Sequence, residues 1–470
     1  MNKIILTPLK QSPGKTLILL FLLFTAFGQA NASGYQINVL LQNSTDTILF
    51  LNHYSGKEIL TDDTARKINN GPFLFSGSDS LDNGYYFISS KSRKKLFDFF
   101  ITGSQNLSFE VNIEDPFSSM VTGGSVDNSK YYNALKILRS SFGKQVRVPD
   151  SLPWLMANVD YSLSSVFKLF NDKGSMSICE KYLLASIPTG IYQKYFVGGD
   201  KAGKDAAIQF IDHFFDNLDL NEEFLISTPV YEQRIDEFID TVSMLPTLNM
   251  QKQVDRLISL AGNNAKAQSA LVWHLESHFG AYYFLPGFDE MYVHIINDFL
   301  ENGKVAWYFP VVRDRELTQL KKISLLLNGN TGPDMEMPDT SGIMHSLYSQ
   351  QSNYTLLLFW ASTCSHCRDE MPSITRFYAD FHSKYNLEIF GVSTDTSVTR
   401  WKNYIRKHQL PWVNVFGRKS IRGNYHLLYN VQSTPVMFLM DDKKKILAKY
   451  LTPEKFAAII KQRESANPNK

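Results

Sequence analysis

One stretch decides the fold of the last third of this 470-residue chain: Phe359-Trp360-Ala361-Ser362-Thr363-Cys364-Ser365-His366-Cys367. It joins an apolar run, residues 354–360, to a segment with helical spacing that begins at Ser365. The apolar run is typical of a buried parallel strand. Two cysteines at positions i and i+3 of a first helical turn have Cα atoms ~5–6 Å apart, which a disulfide tolerates. We therefore predict a strand leading into a helix that carries a redox-active cysteine pair.

The two cysteines are expected to have different roles. Cys364 would lie at the helix N-terminus, where unsatisfied backbone N–H groups favour a thiolate and lower its pKa. It is the predicted attacking thiol, and Cys367, one turn further on, would resolve the mixed disulfide. His366 could stabilise the thiolate and make the disulfide more oxidising, or it could simply lie on the helix surface; the sequence leaves both open.

Other uses of the cysteines have weaker support. The chain has only one further cysteine, Cys179, so neither a zinc site of paired cysteines nor a disulfide-stapled fold is indicated. Cys179, with Tyr182 and Leu183 on the same helical face, is typical of a small buried side chain. His274 and His278 are four residues apart on a predicted helix, but their order is not that of a metalloprotease motif, and we predict no metal.

Outward from the cysteines, the chain divides into three predicted domains of a multidomain α+β protein. Residues 33–125 alternate polar and apolar side chains between turn signals, which predicts an antiparallel β-sandwich-like domain. Residues 126–327 have apolar stripes at helical spacing, which predicts an all-α domain. After the Gly- and Pro-containing segment 329–333, strands alternate with helices through residues 328–470, which predicts a mixed α/β sheet.

The N-terminus has the pattern of a secretory signal peptide, residues 1–32. Three lysines precede an apolar run at residues 17–27, and Ala30-Asn31-Ala32 is a small-x-small cleavage site. The run is short for a membrane span, which needs ~20 residues, so we expect an exported, periplasmic protein that does not span the membrane after cleavage. The formal net charge of +2 gives no support for binding nucleic acid.

The cysteine stretch, together with Glu370, Pro372 and the later Ser433-Thr434-Pro435, resembles the thioredoxin superfamily. Glu370-Met371-Pro372 makes the sequence more similar to the exported reductases of the TlpA/ResA type than to cytosolic thioredoxin. The resemblance covers residues 329–461 and implies a thioredoxin fold whose only redox group is the Cys364–Cys367 disulfide. The first two domains resemble, by composition, the N-terminal extensions of thioredoxin-like proteins of Bacteroidota.

The same resemblance implies roles for individual residues. Pro435 would be the cis-proline that faces the cysteines, and Thr434 would pair with an extended substrate segment. Glu370 would join the two cysteines as a catalytic residue that moves protons. Together with Thr434 and Pro435, the residues Trp360, Thr363 and His366 would line the substrate surface.

Two positions depart from the family pattern. The family's tryptophan before the first cysteine is Thr363 here, which removes an aromatic side chain from the substrate rim. The buried aspartate of cytosolic thioredoxin falls at Leu358, so Glu370 is the nearby carboxylate left for proton transfer.

The sequence thus predicts an exported thiol-disulfide oxidoreductase, with disulfide-bearing proteins as substrates. As a reductase in an oxidising compartment it would need a membrane-borne electron donor. Three alternatives stay open. It could oxidise or isomerise disulfides. It could be a thiol peroxidase, although Ala361 stands where that chemistry usually has Thr or Ser. It could also be a non-enzymatic binding module on a thioredoxin scaffold.

Overall fold

The protein is seen in a computed structural model that describes residues 34–56, 58–67, 71–142, 176–186, 211–243, 249–417 and 420–466. The predicted signal peptide, residues 1–32, lies outside them. The chain forms two compact units, residues 1–194 and 195–470. The finer division at residues 125/126 and 327/328 stays a prediction.

The first unit contains two four-stranded sheets with the orders β4-β1-β7-β8 and β3-β2-β5-β6. The strands are β1 Tyr35–Gln42, β2 Ile48–Ser55, β3 Glu58–Arg66, β4 Phe73–Gly77, β5 Gly84–Ser90, β6 Lys95–Ile101, β7 Asn106–Asn112 and β8 Val121–Gly123. Aromatic rings join the sheets: the Phe109 ring lies 4.7 Å from that of Phe99 and 5.4 Å from that of Phe97. This buried interface explains the alternation of apolar residues in the sequence.

Two features of these sheets differ from the expectation. β1 and β7 pair in parallel, so the arrangement is not purely antiparallel. The chain between them contains all four strands of the other sheet, which provides the long crossover that a parallel pair requires. The sequence pattern also missed β3, because this edge strand is exposed along most of its length and carries few apolar residues.

Helices α1 Pro116–Ser119, α2 Val126–Phe142 and α3 Ile178–Ala185 complete the described part of this unit. Ser177 caps α3 in a reciprocal arrangement with Glu180, which satisfies backbone donors at the start of the helix. Cys179 is fully buried, as predicted, and burial raises its pKa. It is a packing residue, because a buried thiol with a raised pKa supplies little thiolate.

The described part of the second unit contains a set of helices. They are α4 Glu223–Ile226, α5 Pro229–Ser243, α6 Met250–Leu260, α7 Ala265–Ala281, α8 Phe288–Ile295 with a π-helical continuation through Glu301, and α9 Pro310–Ser324. Of these, α5, α6 and α8 match the apolar stripes of the sequence. α5 starts at Pro229, where the fixed φ of proline suits a first turn. The stripe Val254, Leu257 and Ile258 of α6 is buried.

The rest of this unit has a thioredoxin-like arrangement around a five-stranded sheet of order β13-β12-β11-β14-β15. Its strands are β11 Tyr354–Trp360, β12 Leu387–Ser393, β13 Val413–Phe416, β14 Val436–Asp441 and β15 Ile446–Lys449. The helices are α10 Ser365–Tyr385, α11 Val398–His408, α12 Tyr425–Leu428 and α13 Pro453–Ala466. A short hairpin, β9 Glu336–Pro338 and β10 Met344–Ser346, was not predicted.

The central strand β11 is buried at every position and runs parallel to β12 and antiparallel to β14. Apolar cores cover both faces of the sheet. This double burial explains why β11 is a continuous apolar run instead of an alternating one. Pro372 lies inside α10, where it removes one backbone N–H donor.

A buried ion pair joins the sheet to the preceding helices. Lys449, at the end of β15, pairs with Asp289 in the first turn of α8, and both residues are buried. The Lys449 ammonium also donates to the carbonyl of Leu326. A charge pair removed from water is held in place only when its remaining donors also have partners. Here the Leu326 carbonyl accepts a hydrogen bond from the Lys449 ammonium.

Candidate active site

Cys364 is the N-cap residue of α10, with extended backbone angles of φ −75° and ψ 123°. Its sulfur accepts a hydrogen bond from the Cys367 N–H at 3.3 Å. Its thiol donates to the Thr434 carbonyl oxygen, also at 3.3 Å. The Thr434–Pro435 peptide bond is cis. The cysteine pair and Thr434, which is 70 residues from Cys364 in the sequence, therefore meet at one point beyond the carboxyl end of β11.

The two thiols lie in different environments, which shift their pKa values in opposite directions. Partial burial alone would raise the pKa of Cys364, but hydrogen bonds with the side chain and backbone of Cys367, the side chain of Thr434 and the backbone of His366 lower it below its ordinary value. Cys367 is 1% exposed, and this burial raises its pKa to about 12. The geometry thus favours a thiolate at the accessible cysteine and a protonated thiol at the buried one, which is the order that the sequence predicted.

A buried carboxylate holds the loop before Cys364. Asp395, just after β12, accepts hydrogen bonds from the Ser362 N–H at 2.8 Å and from the Ser362 hydroxyl at 2.9 Å. It also accepts one from the Ser393 hydroxyl at 3.0 Å. These donors satisfy the carboxylate, which is 6% exposed. Because Ser362 is two residues before Cys364, Asp395 positions the N-cap of α10.

Arg368 holds the same loop from the helix side. Its guanidinium donates to the carbonyls of Ser362 at 3.3 Å and Thr363 at 3.0 Å. The Thr394 N–H donates to the Trp360 carbonyl at 2.8 Å, so the chain is anchored from the end of β11 to Cys364. A fixed loop keeps the Cys364 sulfur aligned with the donors that stabilise its thiolate.

Sequence reasoning missed Asp395 and Arg368. A polar residue just after a buried parallel strand was an available signal for Asp395, because the carboxyl ends of parallel strands meet at one edge of a sheet. Arg368 follows Cys367 directly, but its use depends on which way the loop carbonyls point. That direction cannot be deduced from spacing.

Glu370 lies one helical turn beyond Cys367 and is half-buried. Desolvation, followed by the nearby Glu454 carboxylate, raises its pKa above the ordinary range. A carboxyl group with a raised pKa exchanges protons closer to neutral pH. The position therefore suits the proton-transfer role that the resemblance implies, and that role stays a prediction.

Four of the five residues predicted to contact a substrate are accessible in the structure, and Trp360 is not. Thr363 and His366 are exposed beside Cys364, and Thr434 and Pro435 are partly exposed, so all four can contact a partner. Trp360 is 0% exposed and packs with its ring 5.3 Å from that of Tyr404. Trp360 therefore supports the site from beneath instead of touching a substrate, because the strand that carries it is covered on both faces.

The histidine pair of α7 is part of an ion-pair cluster. Asp236 lies 2.6 Å from His274 and 2.9 Å from His278. Burial opposes the charge on His274, but hydrogen bonds with Asp236 and Glu232 raise its pKa overall. Within the described residues, no group of three or more histidine, cysteine, aspartate or glutamate side chains is arranged so that it could hold a metal ion.

The described part of the chain contains no helix with the length and apolarity needed to cross a membrane. Residues 328–449 match the family model of the AhpC/TSA family. They lie in the part that folds around the five-stranded sheet.

Curated relatives are similar to about a quarter of the chain. A thioredoxin-like protein, YneN of Bacillus subtilis, is 28% identical over 129 residues, which cover 27% of this chain and 72% of that protein. The thiol-disulfide oxidoreductase ResA of Geobacillus kaustophilus has the same identity and coverage. Among solved structures, the thioredoxin domain of a thiol-disulfide oxidoreductase from Bacteroides vulgatus is 30% identical, covering 29% of this chain and 98% of that one, with a TM-score of 0.28.

The family model and the curated relatives confirm the resemblance to the thioredoxin superfamily and to proteins of the ResA type. Part of the chain is thus similar to thiol-disulfide oxidoreductases, a class of redox enzymes.

Proposed function

We propose that this chain, with its ResA-like C-terminal domain, is an exported enzyme that reduces protein disulfides through Cys364 and Cys367. One observation carries the proposal: the partly exposed Cys364 caps α10 with its sulfur 3.3 Å from the Cys367 N–H, and Cys367 is buried behind it, which lowers the pKa of the first thiol and raises that of the second. Thiol-disulfide exchange needs this asymmetry, because one thiolate must attack while the other thiol waits.

In the proposed reaction, the Cys364 thiolate attacks one sulfur of a substrate disulfide. A mixed disulfide forms, and the other substrate sulfur leaves as a thiolate that takes a proton. Cys367 then loses its proton and attacks the Cys364 sulfur. The Cys364–Cys367 disulfide forms, and the second substrate thiol is released. The substrate gains two electrons and two protons, and the enzyme loses them.

The second step requires a proton acceptor near Cys367, since a thiol with a pKa of about 12 does not ionise at neutral pH. We assign this role to Glu370, whose raised pKa suits it. The exposed backbone at Thr434 would hold an extended substrate segment. To work repeatedly in the periplasm, the enzyme would then be reduced by a membrane-borne dithiol donor.

Insulin reduction in the presence of dithiothreitol tests the activity. We expect wild-type protein to accelerate it, Cys364→Ser to abolish the acceleration, and Cys367→Ala to accumulate mixed disulfides through Cys364. Cys179→Ser is the matched control and should retain wild-type activity, because that thiol is fully buried in the other unit. Activity that survives in Cys364→Ser would refute the proposal.

Two further measurements separate the alternatives. The reduction potential of the cysteine pair decides direction: a value near that of strong oxidants, ~−120 mV, would contradict a reductase. Consumption of hydrogen peroxide distinguishes a thiol peroxidase. We expect slow consumption, since Ala361 offers no hydroxyl at the position that this chemistry uses.

A further inference from the structure

Three buried polar atoms lie on the same face of the sheet, behind the cysteine loop. They are the indole nitrogens of Trp360 and Trp412 and the side-chain oxygen of Asn414. All three residues are at least nine-tenths buried. None of these atoms has a hydrogen-bond partner among the described residues. Buried donors and acceptors are almost always paired, so three orphans on one face require an explanation.

The strand register brings the three atoms together around a glycine. Gly391 of β12 pairs with Asn414 of β13 on one side and with Leu358 of β11 on the other. Trp360 and Trp412 lie two residues along from these partners and therefore point to the same face. Because residue 391 has no side chain, the three polar atoms of its neighbours lie around the position that a Cβ would occupy.

The atoms converge within a small radius. A Cβ placed on Gly391 would lie 2.9 Å from Asn414 Oδ1, 3.1 Å from Trp412 Nε1 and 3.4 Å from Trp360 Nε1. The orientation of the Asn414 amide is set independently, because its nitrogen donates to the Trp412 carbonyl at 2.8 Å. Its oxygen is therefore the atom that faces the two indoles.

We propose that one buried water molecule binds here and bridges Trp360, Trp412 and Asn414. A water can accept both indole N–H bonds and donate to the amide oxygen, which satisfies all three atoms at once. A cation would face two N–H donors, and an anion would face the Asn414 oxygen. The donor set therefore selects a small neutral molecule that both donates and accepts.

The site gives Gly391 a reason to be glycine, although its backbone is in ordinary extended geometry. Any side chain there would meet atoms closer than ordinary van der Waals contact. The water would act in place of that side chain, tying β11 to β13 across β12. Because Trp360 directly precedes the cysteine loop, the water would fix the end of β11 on which the loop rests. This inference does not depend on the direction of the redox reaction.

A crystal structure that resolves ordered solvent tests the site directly. We expect one water within hydrogen-bond distance of the three atoms. In solution, the indole N–H signals of Trp360 and Trp412, two of six tryptophans, should show magnetisation transfer from a long-lived water. Trp412→Phe and Trp360→Phe would assign the signals. Asn414 Oδ1 bonded directly to an indole, with no water density, would overturn the proposal.

Substitution at the glycine provides a second test. Gly391→Ala places a methyl group among the three atoms, so we expect loss of the water signal and a lower Tm. Gly84→Ala is the control, since a Cβ at that strand residue would meet only the Tyr86 ring at 4.0 Å. Its Tm should stay near the wild-type value. If Gly391→Ala does not fold, Asn414→Leu in the folded protein must weaken the water signal at both indoles, and an unchanged signal would refute the site.

Discussion

Selective alkylation of the two active-site thiols is the sharpest consequence of their different environments. Cys364 has a pKa below its ordinary value of 9.0, and Cys367 has a pKa of about 12. At pH 8, thiolate is then present at Cys364 in at least about 1 molecule in 10, and at Cys367 in about 1 in 10⁴. The thiolate populations differ by roughly 10³ or more.

The expected rate difference is smaller than this population difference. A thiolate of higher pKa is intrinsically more nucleophilic. With a Brønsted coefficient of about 0.4–0.5, a difference of three pKa units makes the Cys367 thiolate roughly 20- to 30-fold more reactive than the Cys364 thiolate. At pH 8, Cys364 should therefore react with iodoacetamide at least about 30-fold faster than Cys367. The burial of Cys367 increases the difference further.

The assay is pulsed alkylation of the reduced protein from pH 6 to pH 10, with each cysteine quantified by peptide mass spectrometry. The Cys364 rate should rise with pH and level off at a lower pH than in the protein unfolded in guanidinium. The Cys367 rate should stay low throughout. Cys367→Ala and Cys364→Ala measure each thiol alone. Equal rates in the folded protein, or faster reaction of Cys367, would refute the assignment of nucleophile and resolving thiol.

Three further predictions concern residues around and beneath the site. Asp395→Ala leaves the Ser362 N–H without its acceptor, so unfolding in urea should show a loss of about 1–3 kcal/mol, and Cys364 alkylation should require higher pH; unchanged values in both would remove its positioning role. Lys449→Met leaves the Asp289 carboxylate buried and unpaired, which should cost about 3–5 kcal/mol in the same assay, while the double variant with Asp289→Leu should recover most of it; a double variant as unstable as the single one would contradict this. Glu370→Gln should slow resolution of the mixed disulfide and remove a rate increase that wild type shows as pH rises through the raised carboxyl pKa, without changing Cys364 alkylation.

Much of the C-terminal fold could be predicted because its elements are locally encoded. The run Tyr354–Trp360 is apolar throughout, and it became the central buried strand. The segment of helical spacing that begins at Ser365 is a helix with the bounds Ser365–Tyr385. In contrast, residues 419–429 also follow a strand-helix alternation in the sequence, but among the described ones only Tyr425–Leu428 are helical. The apolar stretch there is too short to show a sustained helical period, so the sequence pattern does not fix where the helix begins and ends.

The site could be predicted only in part, for the same reason. Cys364 and Cys367 were found because their spacing and the preceding strand are contiguous in sequence. Trp360 was expected at the substrate surface, yet it is fully buried. Whether a residue at the end of a strand is covered depends on helices that pack from elsewhere in the chain. Asp395 was missed because its partner, Ser362, is 33 residues away.

The sequence by itself therefore determined the cysteine pair, the strand that leads into it and the helix that begins there, since backbone periodicity is a local property. Only the tertiary structure decided which groups surround the pair. It brought the Thr434 carbonyl to Cys364 across 70 residues and placed Asp395 under the loop. It also gathered two indoles and an amide around Gly391. These contacts follow from strand register and helix packing, which depend on the whole chain.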